Sequence, residues 1–205
     1  MTDGASIYLA SRSPRRRELL NQLGVHFEPL MFREGQRADP ETDESVRENE
    51  SPDEYVRRVA RGKAMAGWRR LVSRDLRKRP VLSADTTVCL AMEIVGKPAD
   101  AADATRILRG LSGQVHRVLT AVAVAFEHRL EIEVSESRVT FSVLDERVIR
   151  AYVDSGEPMD KAGAYAIQGR AGAFVERLEG SYTGVMGLPL FETARLLRAF
   201  GVAVP

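Results

Sequence analysis

Apolar and polar positions change their period several times along this chain. IYLAS (7–11) is a short apolar run of strand length, and Leu19, Leu20 and Leu23 then recur three to four apart, which is helix spacing. Ser13 suits the N-cap of that helix, Pro14 its first position and Gly24 its end. GVHFEPLMF reads as extended. Residues 33–53 are polar and acidic without any period and read as a long loop, a feature that is usually functional or disordered. After Pro52, the apolar positions Tyr55, Val56, Val59, Ala60, Met65 and Trp68 predict a helix.

VLSADTTVCLAMEIVG (81–96) places two β-branched runs around a turn near Met92 and Glu93, the pattern of a hairpin. A helix follows from Asp100 or Asp103 and stops at Ser112 and Gly113. HRVLTAVAVAF and LEIEVSESRVTFSVL predict two long antiparallel strands around Glu127 and His128. Asp145 caps a helix that ends at Gly156. DKAGAYAIQGRAGAF reads as a glycine-rich loop, FVERLEGSYTGVMG as a second hairpin and LPLFETARLLRAFG as a closing helix. Helices and hairpins alternating irregularly imply a mixed α/β (α+β) fold around a central sheet. Neither a repeat nor a linker divides the chain, so residues 1–205 are expected to form one domain, large enough for two lobes.

Composition narrows the function classes. Hydrophobic residues make up 44%, charged residues 29% and the net charge is +1, so no bulk field draws the chain to nucleic acid or to a membrane. With 6% aromatics there is also little to stack on bases. No apolar run reaches transmembrane length, and the N-terminus lacks the features of a signal peptide. The single cysteine, Cys89, fits a reducing cytoplasm, where the protein is expected. Only four of the 30 basic residues are lysine (63, 78, 97 and 161), so an arginine cluster surprises less here and each lysine is the more specific choice.

SRSPRRRELL sets Arg15, Arg16 and Arg17 in the first turn of a helix, the end that favours anions over cations. A solvated arginine face would explain them, but so would a bound phosphate. A helix N-terminus already attracts anions, arginine forks match phosphate oxygens, and Ser11 and Ser13 add donors. Asp85 is a second anomaly, because an acid inside an apolar strand is costly unless paired, hydrogen-bonded or bound to metal. The choice lies between a strand-end cap and a metal ligand or general base, and the latter is favoured. Lys97 stands in GKPAD, fixed between glycine and proline, a fair phosphate ligand. Lys63 and Lys161 are weaker cases, a helix lysine being more often solvated. Glu44, in an acidic loop, is able to share Mg²⁺ with phosphates. His26, His116, His128 and Cys89 lack metal-ligand spacing, and no GxSxG motif occurs. Together these residues suggest phosphoryl chemistry on a small phosphorylated ligand.

In that order and spacing, LASRSPRRRELL, DESVRENESPDEYVRRVARGKA, SADTTVCL with GKPAD, LSGQVHRVLTAVAV, and EPMDKAGAYAIQG followed by GSYTGVMGLPLFET resemble the Maf family of nucleoside triphosphate pyrophosphatases over nearly the whole chain. The resemblance implies a mixed twisted sheet with two lobes around a cleft, similar to inosine-triphosphate pyrophosphatases. It implies hydrolysis of the α–β phosphoanhydride to nucleoside monophosphate and pyrophosphate, with a divalent cation, Mg²⁺ or Mn²⁺. Asp85 matches the catalytic acid, joined in the catalytic set by Lys97 and Glu44. Ser11, Arg16, Lys63 and Lys97 match phosphate ligands, and Glu44 with Asp85 the metal-holding acids. Arg15, Thr86 and Gln168 match positions tied to base selection. MFREGQRADPET is extra length before DES, which leaves Glu34 and Glu44 as alternatives for the loop acid, and the DES…EN…P spacing favours Glu44.

Within the family, 7-methylguanine is a cationic ring that Arg15 would repel, whereas Gln168 both donates and accepts along a thymine or uracil edge. The expected substrates are therefore dTTP and UTP, by extension with non-standard pyrimidine nucleotides. The partner is a small nucleoside triphosphate, not nucleic acid or membrane, with a homodimer left open. Two alternatives stand beside this reading: a 7-methyl-GTP pyrophosphatase, and a nucleotide-binding regulator of septum formation with incidental turnover.

Overall fold

The structure is a computed structural model that describes residues 6–31 and 42–204. Glu34 and most of the extra length around it lie outside the described residues. The elements follow the order β1 (Ile7–Leu9), α1 (Pro14–Gln22), β2 (Phe27–Pro29), α2 (Pro52–Ser73), β3 (Val81–Leu90), β4 (Glu93–Val95), α3 (Ala101–Leu111), β5 (Val115–Phe126), β6 (Arg129–Phe141), α4 (Glu146–Asp154), β7 (Val175–Glu179), α5 (Tyr182–Met186) and α6 (Leu190–Ala199).

One seven-stranded mixed sheet runs in the order β2-β1-β3-β5-β6-β7, with β4 also on β3. β1 is parallel to both β2 and β3, and the remaining pairs are antiparallel. Strand β3 decides where the cleft lies. Along one edge it pairs with β5 from Val81 to Cys89. Along the other, only Val81 and Leu82 meet β1, and only Val88, Cys89 and Leu90 meet β4. Between these two short pairings the sheet forks, and Asp85 and Thr86 occupy the fork.

Alternation along β3 and β5 sorts their side chains between two layers. Ala121, Ala123, Ala125 and Cys89 face α2, packed with Val56, Val59, Ala60 and Ala64. Leu82, Ala84, Val88, Val122 and Val124 face the other layer, a core shared with Leu19, Leu108, Ile149 and Leu197 from α1, α3, α4 and α6. Most helix ends follow the sequence. Ser51 and Glu54 form a capping box on α2, and Asp100 and Asp145 accept from backbone amides at the starts of α3 and α4. Ser13 occupies the N-cap of α1 but makes no side-chain cap bond.

The hairpin expected in FVERLEGSYTGVMG does not form. β7 lies against β6, with Arg138 opposite Glu179 and Val139 opposite Leu178, because the outer edge of the long β6 is open to it. The following residues turn at Gly180 (φ 114°) into α5, whose N-cap Ser181 accepts from the Gly184 amide at 3.0 Å. The glycine-rich loop holds two short 3₁₀ turns, Ala162–Ala164 and Arg170–Phe174. Among the described residues, no helix is long and apolar enough to cross a membrane.

Candidate active site

The fork opens into a cleft of about 630 Å³ lined by the nine residues that the resemblance matches to the site, Ser11, Arg15, Arg16, Glu44, Lys63, Asp85, Thr86, Lys97 and Gln168, whereas Arg17 of the arginine cluster does not line it. They arrive from different elements. β1 runs into Ser11, α1 carries the arginines, α2 carries Lys63, β3 carries Asp85 and Thr86, and Lys97 follows β4.

Because neighbouring residues of a strand point to opposite faces, Asp85 turns toward α2 and Thr86 toward α1 and α5. Asp85 is 6% exposed and Lys63 9%. The Lys63 ammonium donates to Asp85 Oδ1 at 2.8 Å and lies 2.6 Å from Glu44 Oε1. Lys97 donates to Glu44 Oε2 at 3.1 Å. Charges therefore alternate across the cleft: Asp85, Lys63, Glu44, Lys97. Burial acts to raise the Glu44 carboxyl, but the charges and hydrogen bonds of Lys63 and Lys97 outweigh it and hold the group at about 2. Taken alone, Lys63 was a weak case that only the resemblance assigned to phosphate, and the structure places it in the cleft rather than on a solvated face. Val56, Val59, Ala60 and Lys63 share the buried stripe of α2, where the ammonium is compensated by Asp85.

On the other face, Arg16 Nε donates to the Gly187 carbonyl at 2.8 Å, its Nη1 to Ser11 Oγ at 3.2 Å and its Nη2 to Thr86 Oγ1 at 3.3 Å. Gly187 ends α5 at φ 118°, a conformation that favours glycine and turns its carbonyl toward the arginine. Thr86 shares a 2.9 Å hydrogen bond with Thr120, which donates to the Gly184 carbonyl at 2.7 Å. Burial lowers the Arg16 guanidinium, with Asp85 acting against that effect. The first-turn cation is thus held by three oxygen acceptors. Thr86, expected near the base, has its hydroxyl on Arg16.

The acidic loop is fastened to α2. Tyr55 donates its hydroxyl to the Glu44 carbonyl at 2.9 Å, and Arg58 Nη2 donates to the Ser45 carbonyl and to Glu50 Oε2, each at 2.8 Å. Burial, with Asp85 and Glu44 adding to it, raises the Tyr55 phenol, which stays a donor.

Residues the sequence did not single out complete the cleft: Tyr55, Tyr165, Met186 and Gly187 line it. Lys161, read there only as a weak case, lines it too. The signal for Tyr165 was slight, since its partner is the buried His116, 2.8 Å from its hydroxyl and distant in sequence. Burial lowers His116 to about 4, so a neutral ring backs the tyrosine. His116 is a core residue, in keeping with the absence of metal-ligand spacing.

Two carboxylates converging on one ammonium make a place where positive charge is stable, and their oxygens are hard donors. Among the described residues no group of three or more His, Cys, Asp or Glu is placed to hold a metal. Mg²⁺ uses one or two carboxylates and completes its shell with water and substrate phosphate, so the pair Glu44 and Asp85 fits such an ion.

The family model described as Maf-like protein matches residues 6–200. A dTTP/UTP pyrophosphatase of Dechloromonas aromatica (strain RCB) is 60% identical over 195 residues, covering 95% of this chain and 97% of its own. Another, from Aromatoleum aromaticum, is 59% identical over 198 residues and covers 96% of each. The solved structure of the Staphylococcus aureus Ham1 protein aligns over 68% of this chain and 72% of its own, at 14% identity and TM-score 0.39.

Proposed function

Since the chain belongs to the Maf family, we propose that it is a nucleoside triphosphate pyrophosphatase that hydrolyses dTTP and UTP to the nucleoside monophosphate and pyrophosphate. The observation that carries the reading is the charge alternation of Asp85, Lys63, Glu44 and Lys97, its Asp85–Lys63 end buried, in one cleft with Arg16. Three cations at the walls suit a polyanionic chain, and the acids suit the cation and the water that its hydrolysis needs.

In the reaction, a water oxygen bonds to the α-phosphorus while the bond from that phosphorus to the bridging oxygen breaks and pyrophosphate leaves. Arg16, Ser11, Lys63 and Lys97 bind the phosphate oxygens and neutralise charge that builds on them. Asp85 takes the role of general base or metal-holding acid; either role requires its charge. Glu44 and Asp85 would hold the divalent cation, Mg²⁺ or Mn²⁺, which supplies Lewis-acid polarisation of the phosphate when bound. Arg15 and Gln168 line the same cleft and face the base and sugar, with Gln168 offering a donor and an acceptor to the pyrimidine edge. The free, buried Cys89 accords with a cytoplasmic site of action.

Neither a 7-methyl-GTP pyrophosphatase nor a regulator with incidental turnover is favoured by relatives named dTTP/UTP pyrophosphatase. A panel of nucleoside triphosphates with Mg²⁺ or Mn²⁺, read by product chromatography, tests the proposal. dTMP and UMP with pyrophosphate are expected. Release of orthophosphate with a diphosphate, or higher efficiency on 7-methyl-GTP than on both dTTP and UTP, would overturn it.

A further inference from the structure

Gln168 is exposed on an irregular segment, and such a side chain reads a base only if its backbone is held. The half-buried Glu157 supplies the holding contacts. Its Oε1 accepts from the Arg170 amide at 3.0 Å and from the Tyr152 hydroxyl at 3.1 Å, and its Oε2 lies 3.3 Å from the same amide. Tyr152, on α4, is 3% exposed, and burial followed by the charge of Glu157 raises its phenol, so the donor stays protonated. The Ala166 amide donates to the same tyrosine oxygen at 3.4 Å. Backbone amides on both sides of Gln168, at Ala166 and Arg170, are thus tied to one buried anchor.

Residue 169 has to be glycine for this arrangement. A Cβ there would overlap the Glu157 carboxylate, with Cδ only 2.7 Å away. The absent methyl group is the space through which the acid reaches the Arg170 amide.

We propose that Glu157 is a positioning residue for base selection: anchored by Tyr152, its carboxylate holds residues 166–170 so that the Gln168 amide meets the pyrimidine edge. The proposal rests on the reading that Gln168 faces the base. Glu157 touches no substrate. It acts through Gln168, so its loss changes the choice between bases more than the chemistry they share.

The test compares kcat/KM for UTP with kcat/KM for GTP in the full-length protein, its Glu157→Ala, Glu157→Gln, Tyr152→Phe and Gln168→Ala variants, and the Glu157→Ala/Gln168→Ala double variant. Gln168→Ala is expected to lower the UTP-to-GTP ratio. Glu157→Ala should lower it by at least about threefold, within the range of coupling between residues in one network. The double variant should fall no further than Gln168→Ala alone. Glu157→Gln keeps an oxygen for both donors and should restore most of the ratio. Tyr152→Phe removes only the anchoring hydroxyl and should shift the ratio in the same direction, which keeps the test open if Glu157→Ala fails to fold. Glu157→Ala and Tyr152→Phe lowering both efficiencies equally, with the ratio intact while Gln168→Ala changes it, would overturn the proposal alone. An unchanged ratio in Gln168→Ala would overturn the base reading and this proposal with it.

Discussion

Replacing Lys63 with methionine keeps the bulk of the side chain and removes the charge between Asp85 and Glu44. Asp85 is then a carboxylate 6% exposed whose direct partner, 2.8 Å away, is gone. Breaking a buried pair from one side costs roughly 3–5 kcal/mol, because the remaining charge stays uncompensated. Two features place this case at the low end. The Glu44 side chain is 42% exposed and turns to water readily, and Arg16 still exerts its charge on Asp85. The expected loss is therefore about 3 kcal/mol, which for a chain of this size lowers Tm by about 6–12 °C. Lys63→Met/Asp85→Asn removes both charges and should regain about half of that loss or more, since a neutral amide is far cheaper to bury than an unpaired carboxylate. Activity should return in neither variant. Urea denaturation and thermal melts of both proteins are the assay. A loss under about 1 kcal/mol in the single variant, or a double variant no more stable than the single, would refute the account of this pair.

Asp85→Asn alone should retain its fold and lose turnover by about a hundredfold or more, measured with UTP at saturating cation. Arg16→Ala and Lys97→Ala should each weaken binding of a non-hydrolysable dTTP analogue by about 1.5–3 kcal/mol in calorimetry. Glu44 is held at about 2 from its ordinary 4.5, so its pairs with Lys63 and Lys97 stabilise the fold above about pH 4.5 and lose that effect as pH falls toward 2. The urea midpoint of the wild type should accordingly exceed that of Glu44→Gln at pH 6, and the two should converge by about pH 2.

The sequence is most readable where the determining contact is local. Caps at Asp100 and Asp145, the turn near Met92, and the long β5–β6 pair depend on residues a few positions apart. Asp85 stood out because an acid in an apolar strand needs a reason, and Lys63 is that reason. Lys63 itself was legible, since it continues the spacing of Val56, Val59 and Ala60, but a lysine on a helix is judged solvated until its partner is known. The acceptor of Arg16, the Gly187 carbonyl, was not legible, because backbone carbonyls carry no residue-type signal. The false hairpin has the same origin: the partner of β7 is β6, and nothing within FVERLEGSYTGVMG reports that distant edge. Glu157 opens the segment EPMDKAGAYAIQG, but nothing in that segment reports its partners, an amide and a tyrosine on another element.

The bond from Arg16 to Gly187 joins residues 171 positions apart. At ordinary rates of synthesis, about 5–20 residues per second, roughly 10–30 seconds separate the making of its two ends. A two-stranded hairpin forms in microseconds once its residues are available, so β5 and β6 pair long before α5 exists. The nascent chain therefore carries its first-turn arginines for most of its synthesis without the oxygen that fixes Arg16. The Arg16 side of the cleft is completed only once residue 187 has been made, with α6 still to follow. A chain that stops before residue 187 contains every strand of the sheet but lacks the carbonyl that fixes Arg16.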